Sequence, residues 1–125
     1  MMQATMDILL VDDDEVDREA VRRRLASHFS AREATTLGQA AALLSTQPPV
    51  CVLLDYHLPD GDGLQLLPLI AQMGIPVIIL TGEESPEIIV QAMQAGVQDY
   101  LVKSHLTRLS LEHAIRGAIE KMALK

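Results

Sequence analysis

The stretch Pro48-Pro49-Val50-Cys51-Val52-Leu53-Leu54-Asp55 (residues 48–55) decides the fold. Two prolines stop the helical pattern before it, an unbroken apolar run follows, and the run ends on a carboxylate. Strict alternation would mark a strand with one wet face. A continuous run of this length marks a central strand covered on both faces, as in a helix-covered parallel sheet. Three other runs end the same way: residues 8–11 meet Asp12 and Asp13, residues 77–80 meet Thr81, and residues 101–102 meet Lys103. In a parallel sheet the carboxyl ends of the strands share one rim, so these residues converge although they are far apart in sequence. Three carboxylates, a hydroxyl and an ammonium gathered there make a pocket for a divalent cation and a phosphate.

Outward from this run, strand-length apolar segments alternate with helical periodicity, giving five βα units. The first strand covers about residues 7–11. The first helix, about 15–28, carries Val16, Ala20, Val21 and Leu25 as its apolar stripe. The second strand, about 31–35, is polar enough for an edge. A second helix over 37–46 ends before Pro48. After the turn-rich segment 58–63 a third helix runs over 64–73, with Pro68 either kinking it or marking its first turn. Gly74 ends it, Pro76 opens the fourth strand, Pro86 starts the fourth helix and Gly96 closes it. Strand five is 99–102. The last helix, about 107–122, gathers Leu111, Ile115, Ala118, Ile119 and Met122 on one side. The rim residues follow strands one, three, four and five but not two, which predicts the sheet order 2-1-3-4-5.

Composition sets the bounds. A chain of 125 residues with 49% hydrophobic content suits one domain with a real core. A net charge of −7 speaks against direct nucleic-acid binding, which needs a basic face. No apolar stretch is long enough to span a bilayer, and the first residues lack the pattern of a signal peptide, so a cytoplasmic location is expected. The single cysteine, Cys51, lies within the apolar run and reads as a small buried hydrophobe.

The residues in order resemble the receiver domains of two-component response regulators, the chemotaxis regulator among them. The resemblance covers essentially the whole chain. It rests on Asp12-Asp13, on the segment from Leu54-Asp55-Tyr56-His57 through Leu58-Pro59-Asp60-Gly61-Asp62-Gly63-Leu64, on Thr81-Gly82, and on Ala95-Gly96-Val97-Gln98-Asp99-Tyr100-Leu101-Val102-Lys103. It implies an α/β, doubly wound (βα)5, flavodoxin-like three-layer sandwich. Asp55 is then the phosphoryl acceptor. Asp13, Asp55 and the backbone carbonyl of His57 coordinate Mg²⁺, with Asp12 reaching the ion through water. Thr81 and Lys103 hold phosphoryl oxygens, and Tyr100 turns inward as the switch. Gly82 keeps the mouth open, while His57 and Glu83 flank the pocket where family members tune phosphate lifetime. A departure from the family is Ser104, which stands where a proline usually follows the lysine.

Plainer roles stand beside these. The Asp12-Asp13-Asp14 run also reads as a helix cap, Asp14 above all, and Thr81 alone as a cap. Tyr100 also reads as a packed aromatic.

The implied partners are a sensor histidine kinase or a histidine phosphotransfer protein as donor. The face of helix four, strand five and helix five then meets a downstream protein or a second copy. Ile88 and Ile89 are candidates for an exposed patch there, and burial of both fits nearly as well. Arg18, Arg22, Arg23 and Arg24 offer either a docking surface for the donor or a solvated helix face. After Lys103 the chain suffices for one helix and no output domain. The reading is a signalling phosphoacceptor rather than an enzyme: a stand-alone regulator, a relay shuttle or the receiver part of a larger protein. A small Mg²⁺-dependent phosphohydrolase is the alternative, but it needs a carboxylate two residues beyond Asp55, where His57 stands. A flavin carrier lacks its phosphate loop, and a calcium loop from Asp12 fails at Asp17, where glycine is required.

Overall fold

A computed structural model describes residues 5–82 and 85–124. Five strands, β1 (Met6–Val11), β2 (Phe29–Ala34), β3 (Cys51–Asp55), β4 (Val77–Thr81) and β5 (Asp99–Val102), form one parallel sheet in the order β2-β1-β3-β4-β5. The helices are α1 (Glu15–Arg24), α2 (Leu37–Thr46), α3 (Leu67–Gln72), α4 (Pro86–Gln94) and α5 (Arg108–Ala123). Successive side chains on a strand point to opposite faces, and the sheet sorts its residues into two cores accordingly. Leu9, Val11, Val52, Leu54, Val77 and Ile79 pack with residues of α2, α3 and α4. Ile8, Leu10, Cys51, Leu53, Ile78 and Leu80 pack with Val21 of α1 and with Leu111, Ala114, Ile115 and Ala118 of α5. The result is the three-layer α/β sandwich expected from the buried central run.

Local signals set most boundaries. Asp14, Thr36, Ser85 and Thr107 cap α1, α2, α4 and α5 by accepting a backbone N–H with their side chains. Gly74 and Gly96 take φ of +70° and +98° just past α3 and α4, a conformation that glycine adopts without steric cost. Pro68 marks the first turn of α3 and does not kink it. The preceding residues, Gly63–Leu66, wind as a 3₁₀ turn.

The first helix departs from expectation. It ends at Arg24, not near residue 28, and β2 begins at Phe29, not Ala31. The reason is tertiary: Phe29 is buried and sits opposite Met6 in the β1–β2 ladder, so the chain must already be extended there. Val16 was expected on the core stripe but is 75% exposed: the buried residue of α1 is Val21, and five helical steps of about 100° set Val16 about 140° round the helix from it. The strand-three run also shifts by one residue, which places Asp55 inside β3. The Lys103–Ser104 peptide is trans, and Lys103–His105 forms a short 3₁₀ turn.

Candidate functional site

The rim at the carboxyl ends of β1, β3 and β5 carries the chemistry. Asp55, the last residue of β3, is 6% exposed, and Asp12, one residue past β1, is fully buried. Lys103, one residue past β5, places its Nζ 2.8 Å from Asp12 Oδ2, 2.8 Å from Asp17 Oδ2 and 3.2 Å from Asp55 Oδ2. Asp13 is exposed at the mouth, yet one carboxylate oxygen from each of Asp12, Asp13 and Asp55 falls within a span of 4.8 Å. The predicted cluster therefore exists as a cluster. Asp14, in contrast, accepts the Asp17 N–H at 3.0 Å and is the helix cap of the run.

The loop after β3 is built to hold Asp55. Gly63 donates its N–H to the Tyr56 carbonyl at 2.6 Å, and a Cβ at Gly63 would lie 2.3 Å from the Asp55 carbonyl oxygen. Only glycine allows that approach. A two-residue hairpin pairs His57 with Asp62, and the His57 N–H points toward Asp55 Oδ1 at 3.4 Å. Asp60 reaches away from the pocket to accept the Leu37 and Gly38 N–H groups at 2.8 and 3.1 Å, tying the hairpin to the start of α2. Those bonds, Leu37's first, hold the Asp60 carboxyl below its usual range.

Asp13, Asp14, Asp17, Asp55, His57, Gly82 and Lys103, with Leu58 and Pro59, line an open cleft of about 400 Å³. Thr81 is buried at the end of β4, one residue past the Asp55–Leu80 pair. Tyr100 is half-buried against the core under α2, α3 and α4. In the β4–β5 register Tyr100 pairs with Ile79 and Val102 with Thr81, so Tyr100 and Thr81 lie on one face of the sheet. At Gly82 an added Cβ would meet no described atom within 4 Å. Glu83 lies outside the described residues.

The electrostatics are those of a site short of positive charge. Burial, helped by the neighbouring Asp12 charge, pushes the Asp55 carboxyl up to about 6 against the opposing pull of Lys103. Burial alone would lower the Lys103 ammonium, but hydrogen bonds to Asp12 and Asp17 outweigh it and hold lysine above its ordinary value. Three carboxylates share one ammonium here, with Asp13 beside them, and the donor set is all oxygen. Both fit a hard divalent cation.

Sequence reading missed Asp17 as part of this site. An acidic residue in the first helical turn is already favoured by the helix dipole, so its sequence signal is absorbed by a simpler cause. The arginines of α1 also have partners within the fold. Arg18 donates to Glu33 at 2.8 Å and to the Asp12 carbonyl at 2.8 Å. Arg22 pairs with Glu19 and Glu33, and Arg24 donates to the Leu106 carbonyl at 2.9 Å. These three are spent inside the fold, which leaves Arg23, itself paired with Glu19, as the exposed one. On α4 Ile88 and Ile89 are half-buried, and the apolar residues open to solvent are Val90 and Met93.

Comparison with known proteins agrees with the geometry. The family described as response regulator receiver domain matches residues 8–116. Response regulator MprA of Mycolicibacterium vanbaalenii is 35% identical over 99 residues, which cover 77% of this chain and 43% of that protein. The KDP operon transcriptional regulatory protein KdpE of Escherichia coli is 33% identical over 98 residues, again 77% of this chain and 44% of the relative. The chain thus spans less than half the length of these curated relatives. Among solved structures, the signal receiver domain of an HD domain-containing protein from Pseudomonas fluorescens superposes with TM-score 0.85 at 30% identity, covering 98% of this chain and 93% of that one. A CheY-like response regulator receiver domain protein from Methanospirillum hungatei superposes with TM-score 0.83 at 26% identity, covering 96% and 98%. The fold, the rim constellation and these matches agree that the chain belongs to the response regulator receiver family of two-component systems.

Proposed function

We propose that the chain is a phosphoacceptor module in which Asp55 takes a phosphoryl group from a phosphohistidine on a sensor kinase or phosphotransfer protein. The observation that carries the reading is the buried Asp55 carboxylate, held 3.2 Å from the Lys103 ammonium and open to the rim cleft. An Asp55 oxygen attacks phosphorus, the P–N bond to the donor imidazole breaks, and that ring nitrogen keeps the electron pair. Lys103 and Thr81 take phosphoryl oxygens, supplying fixed charge and a hydrogen bond where negative charge spreads during transfer. Asp13, Asp55 and the His57 carbonyl are the proposed Mg²⁺ ligands, with Asp12 in support through water. The ion neutralises the acidic cluster and the transferring phosphoryl group when bound.

The output is a shift between two packings. Thr81, drawn toward phosphate, vacates space on the sheet face that Tyr100 shares, and Tyr100 turns inward. The altered face of α4, β5 and α5 then changes its affinity for a downstream protein or a second copy. Val90 and Met93, 52% and 47% exposed, are the apolar residues open to solvent on α4. Among the described residues no helix is long and apolar enough to cross a membrane. The cytoplasm, where nucleotide-fed kinases draw phosphate, is the proposed location. A phosphohydrolase reading is not favoured, since His57 occupies the place of its second carboxylate.

The test is intact-mass analysis of wild type and Asp55→Asn after incubation with Mg²⁺ and acetyl phosphate, with an EDTA control. One metal-dependent phosphoryl adduct, absent in the variant, is expected. An undiminished adduct on Asp55→Asn refutes the assignment.

A further inference from the structure

We infer that Asp17 is a positioning residue that holds the Lys103 ammonium away from the phosphoryl group and so restrains phosphorylation of Asp55. The inference rests on the phosphoacceptor reading and adds to it a residue from a different element. An ammonium has three N–H donors. Lys103 donates to Asp17 and Asp55 and lies 2.8 Å from Asp12 Oδ2, so a phosphoryl oxygen approaching it competes with these three carboxylates. Asp12 is fully buried, and parting it from lysine would leave a buried charge without its ammonium. Asp55 is the acceptor itself. Asp17, with its side chain 38% exposed, is the partner that solvent can compensate, so engagement of phosphate exchanges Asp17 for a phosphoryl oxygen.

Asp17 is not a drifting surface group. Its N–H donates to the Asp14 cap at 3.0 Å. The next residue, Arg18, bonds the Asp12 carbonyl and Glu33, which clamps the first turn of α1 to the rim. The carboxylate is therefore presented to Lys103 by two fixed neighbours, and its contact is shorter than that of Asp55. It also adds negative charge at the mouth through which an anionic donor must pass.

The test measures beryllofluoride affinity at saturating Mg²⁺ by amide NMR titration, with the acetyl phosphate labelling rate alongside, for wild type, Asp17→Asn, Lys103→Met and the double variant. The loss of one part-exposed ion pair predicts beryllofluoride binding about two- to fivefold tighter in Asp17→Asn, with faster labelling. The gain disappears when Lys103 is methionine, because Asp17 acts through the lysine. Weaker or unchanged binding in Asp17→Asn overturns the inference, and so does an equal gain in both lysine backgrounds, which would make Asp17 a bulk charge. If wild type takes neither beryllofluoride nor phosphate, the phosphoacceptor reading itself falls and this inference with it. Wild-type labelling without an Asp17 effect refutes the inference alone.

Discussion

Replacing Asp55 by asparagine should make the metal-free protein more stable, although it deletes an ion pair. The carboxyl is pushed from its ordinary 3.8 up to about 6, so the ionised form is disfavoured in the fold even with Lys103 beside it. Each pH unit corresponds to about 1.4 kcal/mol, which caps the penalty near 3 kcal/mol, and solvent at the open mouth reduces it to about 1–2 kcal/mol. The sign follows from linkage. Between about pH 4 and 6 the folded state holds the proton that the unfolded state has lost, so wild-type stability falls with rising pH relative to Asp55→Asn. Below about pH 4 the two proteins converge, and above about pH 6 the difference is complete. Urea unfolding in EDTA at several pH values, scored as the difference between the two proteins, removes most titrations they share. Lys103 keeps Asp12 and Asp17 at 2.8 Å in the variant, so no buried ammonium is stranded. Mg²⁺ should then reverse the order, since a ligand at a hundred times its Kd adds about 2.7 kcal/mol to the protein that binds it. An Asp55→Asn protein less stable than wild type at neutral pH without metal, or a difference that ignores pH, would refute the reasoning.

Other expectations test the frame of the site. Gly63→Ala sets a methyl against the Asp55 carbonyl and should cost about 1–3 kcal/mol in urea unfolding while lowering Asp55 labelling. Full stability with normal labelling would show that the loop can yield. Gln98 is buried and accepts the Val77 N–H at 2.7 Å through Oε1, so Gln98→Ala should cost about 1–3 kcal/mol by orphaning that donor, with little change in labelling. Cys51 is fully buried and its thiol is pushed up to about 12 by burial, so a thiol reagent should modify it only after unfolding. Modification at the rate of a free thiol in the native protein would contradict the packing of β3.

What could be read from the residues was what local physics decides. Residues 51–54 had to be a strand buried on both faces, with the carboxylate after them at the rim, while Val50, 37% exposed, stays outside the strand. Gly74, Pro86 and Gly96 marked helix ends through backbone chemistry that no distant contact overrides. The boundary between α1 and β2 was not legible, because helical periodicity runs on through residue 25 and only the pairing of Phe29 with Met6 ends it. Asp12, Asp13, Asp55 and Lys103 announced themselves by standing at strand ends. Asp17 stands on a helix, where an acidic first turn has an ordinary explanation, and its contact with Lys103 crosses 86 positions of chain. The pairing of Arg18 and Arg22 was not legible because their partner Glu33 sits on an edge strand whose register the sequence leaves open.

The parity of the strands divides the molecule in two. Cys51 and Leu53 belong with α1 and α5, Val52 and Leu54 with α2, α3 and α4, and among the described residues no buried side chain belongs to both clusters. Asp17 and Arg18 connect the rim to the first layer, while Thr81 and Tyr100 face the second. Substitutions that reshape one outer surface are therefore insulated from the other by a single thickness of backbone. The face of α4, β5 and α5 proposed to meet a partner takes one helix from each layer, so a change in either core reaches it from its own side of the sheet.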